Sequence, residues 1–158
     1  MSRSARPART GVVAASAAAG VLLLAACAPA TTMLPYAPSD GVRVNVTDEL
    51  RGLNLMVVSE GDGAPGNLLG ALSNNTSEDV VFTLAAEGAG TLSLPVAAND
   101  TVYLGTEDGV EALLEAVVVE PGADLEASLT AGNVSSDFFL PVLDGTLPEY
   151  AEYLPEAP

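Results

Sequence analysis

An all-β fold, arranged as an antiparallel β-sandwich, is what this sequence predicts, on two observations. Apolar and polar residues alternate in short runs rich in Val and Leu, and those runs are separated by clusters of Gly, Pro, Asn and Asp. A period of two places one face of each run in a core, and regular turn punctuation argues for short antiparallel strands.

The first run is "GVRVNV", with Val42, Val44 and Val46 on one face, and the second is "LNLMV", with Leu53, Leu55 and Val57. Further strands are predicted over 67–73, 80–86, 91–94, 101–104, 113–119, 125–130 and 138–143. The turn signals between them are "EGDGAPGN", "NNTSED", "EGAG", "AAND", "GTEDG" and "EPGAD". Val110, Leu113, Leu114 and Val117 also fit a helical stripe behind Glu107 and Asp108, but the β-branched run Val117-Val118-Val119 favours a strand. A helical turn is expected only where that segment begins.

Ahead of these strands stands a segment of different character. Arg3, Arg6 and Arg9 precede an uncharged stretch from Gly11 to Leu24, the order of a secretory signal. Leu24-Ala25-Ala26-Cys27 then has the form of a bacterial lipobox, so cleavage before Cys27 would leave a lipidated cysteine at the start of the processed chain. Small residues admit the peptidase to the scissile bond, and the thiol carries the lipid. One acyl chain holds a protein marginally, at roughly 0.8 kcal/mol per buried methylene, so two or three chains make a lasting anchor.

Three other readings of Cys27 are an uncleaved anchor, a secretory signal that happens to contain a cysteine, and a reactive or metal-binding thiol. The apolar run is shorter and richer in alanine than the roughly 20 apolar residues of a membrane span, and Pro29 follows at once. No second Cys and no His is present to complete a disulfide, zinc or redox site. Without an Arg-Arg pair, the general secretory route is favoured over the twin-arginine one. The expected location is the extracytoplasmic face of the cell membrane.

The predicted organisation is a signal peptide over 1–26, a lipidated Cys27 and Pro/Ala/Thr tether over 27–40, a β-sandwich over 41–146 and a Pro/Tyr/Glu-rich tail over 147–158. All 21 acidic residues follow Cys27, whereas only Arg43 and Arg51 of the five basic residues do. The processed chain would be more acidic still than the net −16 of the whole. Such a surface repels phosphate backbones and anionic headgroups, which argues against nucleic acid and against a polybasic membrane patch.

Glu60-Gly61-Asp62 and Glu107-Asp108 lack the ligand spacing of an EF-hand loop, leaving at most weak, nonspecific divalent binding. Five Asn-x-Ser/Thr sequences, at Asn45, Asn74, Asn75, Asn99 and Asn133, read as turn chemistry behind a bacterial lipobox.

The phrases "GNLLGALSNNTSEDVVFTL", "VVVEPGADLEASL" and "FFLPVLDGTLPEY" resemble the LpqE-like small lipoproteins of actinobacteria, which are distantly similar to periplasmic copper chaperones of the PCuAC type. The resemblance spans most of residues 41–154 and implies an immunoglobulin-like or cupredoxin-like sandwich. The chaperones' copper ligands, His and Met, do not carry over. This chain has no His, and its three Met are Met1, Met33 in the tether and Met56 in a strand.

No catalytic site is expected. Ser or Thr nucleophiles need a neighbouring His or Lys, and neither residue type occurs. Paired carboxylates abound, but 4% aromatic residues and no Trp leave little platform for stacking sugars. No cofactor or metal is predicted. The expected role is a non-enzymatic, membrane-anchored lipoprotein meeting envelope proteins or polymers; the alternative is a carrier for a metal ion or small apolar ligand. Tyr150 and Tyr153 are expected either to lie over an open end of the sandwich or to anchor a partner.

Overall fold

The computed structural model describes residues 39–155. The signal segment, the Leu24-Ala25-Ala26-Cys27 motif and the tether through Pro38 lie outside the described residues. Nine strands follow in order: β1 (Val42–Asn45), β2 (Leu50–Ser59), β3 (Ala64–Asn74), β4 (Val80–Ala86), β5 (Gly90–Val96), β6 (Asp100–Leu104), β7 (Leu113–Val117), β8 (Asp124–Ala131) and β9 (Val134–Leu143). A single helical turn, α1 (Pro148–Ala151), stands in the tail. Each strand overlaps a predicted run. The candidate helical stripe begins instead with a tight turn closed by Gly109 N–H donating to Thr106 O at 2.9 Å, after which Val110 bridges to Leu104 and β7 follows.

The domain is all-β, but its pairing is not that of two separate antiparallel sheets. One mixed sheet runs β5-β4-β8-β9-β2-β3-β6, with β1 added to β2 and β7 to β3. It curls until β5 comes against β6 and β7, so it is nearly closed into a barrel. The joint is β9. Its residues pair antiparallel with β8 from Val134 to Pro141, after which Val142 and Leu143 run past that ladder and pair parallel with Val57 and Val58 of β2. Sequence patterning shows which face a strand buries and is silent on which neighbour takes its free edge.

One feature of β2 departs from the predicted alternation. Leu53 pairs with Ala71 and Met56 with Leu69, so Asn54 and Leu55 together stand opposite Gly70. Asn54 takes a left-handed conformation (φ 51°) in this β-bulge. The extra residue shifts the phase by one. Leu50 and Gly52 face the core before it and Leu55 and Val57 after it, while Leu53 falls on the outer face with Met56 and Val58. Gly70 (φ 130°) fits because a Cβ there would lie 2.7 Å from the carbonyl oxygens of Leu53 and Asn54.

The core inside the curled sheet is aliphatic. Leu55, Leu68, Leu72, Leu84, Leu104, Leu114, Leu125, Leu129 and Leu140 are essentially inaccessible, with Phe82 the aromatic among the largest buried side chains. Truncating any of these leucines to alanine removes methylenes and leaves a cavity, a loss of about 2–5 kcal/mol.

The described core includes three buried polar residues, Ser59, Ser73 and Asn74. No buried side-chain N or O among the described residues lacks a hydrogen-bond partner. Asn74 does most to connect the chain. Its Nδ2 lies 2.8 Å from Glu78 O, 3.0 Å from Ala97 O and 3.2 Å from Val96 O, while its Oδ1 accepts from Thr76 N–H at 3.0 Å and Thr76 Oγ1 at 2.7 Å. One side chain thus ties the β3–β4 turn to the end of β5.

Candidate functional site

The bulge gives the outer face of β2 and β3 an apolar surface of its own. Met56, Val58 and Leu69 form a second cluster, separate from the main core, against which Leu143, Tyr150, Tyr153 and Leu154 pack. The tail therefore lies over a sheet face rather than an open end of the fold. Met56, the one methionine among the described residues, fills this cluster and is 6% exposed.

Several contacts set the path of the tail. After β9, Thr146 N–H donates to Asp144 Oδ1 at 3.0 Å, turning the chain back. That turn, through the Thr146 hydroxyl and backbone, holds the Asp144 carboxyl below its ordinary value. Gly145 lets the return pass close, since a Cβ there would stand 2.3 Å from Leu154 Cδ1. Tyr150 donates its hydroxyl to the Asp40 carboxylate. Asn67 Nδ2 reaches Gly105 O at 3.0 Å and Tyr153 O at 3.3 Å. The Tyr150 phenol is pushed up to about 12 by its hydrogen bond to Asp40, then by burial and by the charges of Asp40 and Glu149. Tyr153 is also raised, chiefly by the neighbouring Glu152 charge.

Beside the docked tail runs an open groove of about 410 Å³, floored by Leu53, Met56, Leu69 and Ala71 and walled by Tyr103, Tyr150 and Tyr153. No charged side chain lines it, in a domain otherwise dense with carboxylates. Tyr103 is 64% exposed. The groove is thus apolar and aromatic, with the Tyr150 hydroxyl already given to Asp40.

The sequence singled out Tyr150, Tyr153 and Met56, and the structure brings all three together. Asn67, Leu143 and the Asp40 cap were missed. An Asn interrupting the apolar run of β3 was the available signal for Asn67. Leu143 and Asp40 carry no local signal, because their role depends on the tail's return path.

The carboxylate groupings lie in turns. Gly61, Asp62 and Gly63 all have positive φ in the β2–β3 turn, and Glu107 and Asp108 occupy the Thr106–Gly109 turn. Among the described residues, no group of three or more His, Cys, Asp or Glu is placed to hold a metal ion. No helix among them is long and apolar enough to cross a membrane.

Of the five Asn-x-Ser/Thr sites, Asn74 is fully buried with both amide atoms engaged. No protein-family model matches the chain, and no curated protein matches it.

Proposed function

We infer that this chain is a non-enzymatic lipoprotein, anchored to the outer face of a bacterial cytoplasmic membrane through Cys27, that presents its acidic β-domain to proteins or polymers of the envelope. The observation that carries this reading is Leu24-Ala25-Ala26-Cys27, placed after a basic start and an uncharged apolar run and before a Pro/Ala/Thr spacer. The lack of His and Lys in the chain supports a binding role over catalysis. On this reading the two antiparallel halves act as the layers of an immunoglobulin-like or cupredoxin-like sandwich seamed by β9. The resemblance to LpqE-like lipoproteins points the same way.

Detergent phase partitioning in a native-like host tests the anchor, with wild type compared with Cys27→Ser. Wild type is expected in the detergent phase and the variant in the aqueous phase. Release of both into the aqueous phase overturns the reading.

The uncharged groove beside the tail favours one second reading, a carrier for a small apolar ligand. Native mass spectrometry of protein purified from its own envelope tests it, and a recurrent bound mass lost in Leu69→Ser would establish it. Copper fits less well, because copper(I) wants several soft donors at one point and Met56 alone is offered by the domain.

A further inference from the structure

A second concave surface lies on the opposite half of the sheet, where β4, β8 and β9 run side by side. The register fixes its outer row. Ala85 pairs with Ser128, and Ser128 with Asp137. One step along, Glu126 pairs with Phe139, and Glu87 donates its N–H to Glu126 O at 2.9 Å.

The alternate residues Ala86 and Ala127 are buried in the core, so this row faces outward. The result is an open groove of about 750 Å³ with a floor of small side chains, a wall formed by Phe139 and a rim carrying Glu87, Glu126 and Asp137. Phe139 is 63% exposed, although a phenylalanine is normally buried.

We propose that this groove is a docking site for a basic, extended peptide segment of a partner protein, one that presents Lys or Arg beside an apolar side chain. Charge complementarity selects the occupant. A cation beside Phe139 meets the negative face of the ring while the rim carboxylates accept its hydrogen bonds, and both interactions strengthen as the groove is covered.

The small floor lets a peptide backbone approach, and the groove draws on four strands, β5, β4, β8 and β9, more than one side chain needs. The domain's own arginines are engaged elsewhere. Arg43 donates to Asn45 Oδ1 at 3.2 Å on β1, and the Arg51 guanidinium donates to Asp48 O at the start of β2. This assignment rests on the protein-binding role inferred above and gives that role a partner chemistry.

The test is calorimetric titration of the purified full processed protein in detergent. Three acetylated hexapeptides serve as probes: alternating Lys-Val, alternating Ser-Val and alternating Glu-Val. The Lys-Val probe is expected to bind and the other two not. Glu126→Gln combined with Asp137→Asn is expected to weaken binding about tenfold, and Phe139→Ser about threefold or more.

A control pair, Glu49→Gln with Glu115→Gln, removes the same charge at other exposed positions and is expected to leave binding unchanged. Equal weakening by both pairs would reduce the effect to general attraction by an acidic surface and overturn the site. So would equal binding of the Ser-Val probe, or self-association that Phe139→Ser abolishes, which would assign the face to a second copy. Because the readout is binding by purified protein, failure here leaves the Cys27 partitioning result standing on its own.

Discussion

Replacing Asn74 by alanine removes a side chain whose amide serves three carbonyls and whose oxygen receives two donors. The two amide hydrogens satisfy at most two of those carbonyls fully at any instant. A buried group left without its partner costs about 1–3 kcal/mol, but most of these contacts lie at the margin of the core, where water can replace part of the loss. The expected destabilisation is therefore about 3 kcal/mol. For a domain of this size that lowers the unfolding midpoint by roughly 10–15 °C.

Urea denaturation followed by far-ultraviolet circular dichroism measures it, and the m-value should stay constant while the midpoint falls. Asn74→Asp sharpens the test. It keeps the acceptor for Thr76 and aims a carboxylate at three carbonyl oxygens, so its pKa in the fold must rise. A raised folded pKa means that this variant regains stability as pH falls through that value, whereas Asn74→Ala gains nothing comparable. If Asn74→Ala stays within about 0.5 kcal/mol of wild type at neutral pH, the linking role assigned to this side chain is wrong.

Three further outcomes are expected. Tyr150 should ionise near pH 12, after an unperturbed phenol. Its raised pKa adds stability that is complete below pH 10 and lost as pH climbs to about 12, so tyrosinate absorbance should show a late component that Tyr150→Phe reduces, leaving the part owed to the raised Tyr153. Gly70→Ala should cost about 2–4 kcal/mol in chemical denaturation, since it combines a positive-φ penalty with a clash against the bulge carbonyls. Ending the chain after Thr146 uncovers Met56, Val58 and Leu69, and should raise binding of an apolar fluorescent dye while lowering stability by about 2–4 kcal/mol. Unchanged dye binding would show that the tail does not cover that face.

The strands were legible because burial on one face leaves its mark every second residue, as in Val42, Val44 and Val46. Leu53 shows where that signal fails. Its alternation with Leu55 is real in the sequence, yet a left-handed Asn54 flips it outward, and Asn occurs in ordinary turns too often to announce a bulge. The parallel contact of β9 with β2 left no trace because Val142 and Val57 look like any buried strand residues. Of the candidate sites, the tail tyrosines stood out by rarity, whereas the acidic groove around Phe139 required the register of three strands to assemble. Cys27 remains a reading of sequence alone, resting on four consecutive residues and the segment before them.

The position of β9 also sets an order of assembly. Val57 and Val58, early in the domain, wait for Val142 and Leu143 near its end, so the sheet cannot complete its path until almost the whole chain is present. Long-range pairings of this kind form late and slowly, because the intervening chain must first be drawn together. A chain delivered from its N-terminus would therefore carry one open edge of β2 at Val57 and Val58, whose other edge is met by Leu68 and Asn67 of β3, until the final strand arrived. Until then that open edge can pair with another chain, a hazard that β9 removes when it docks.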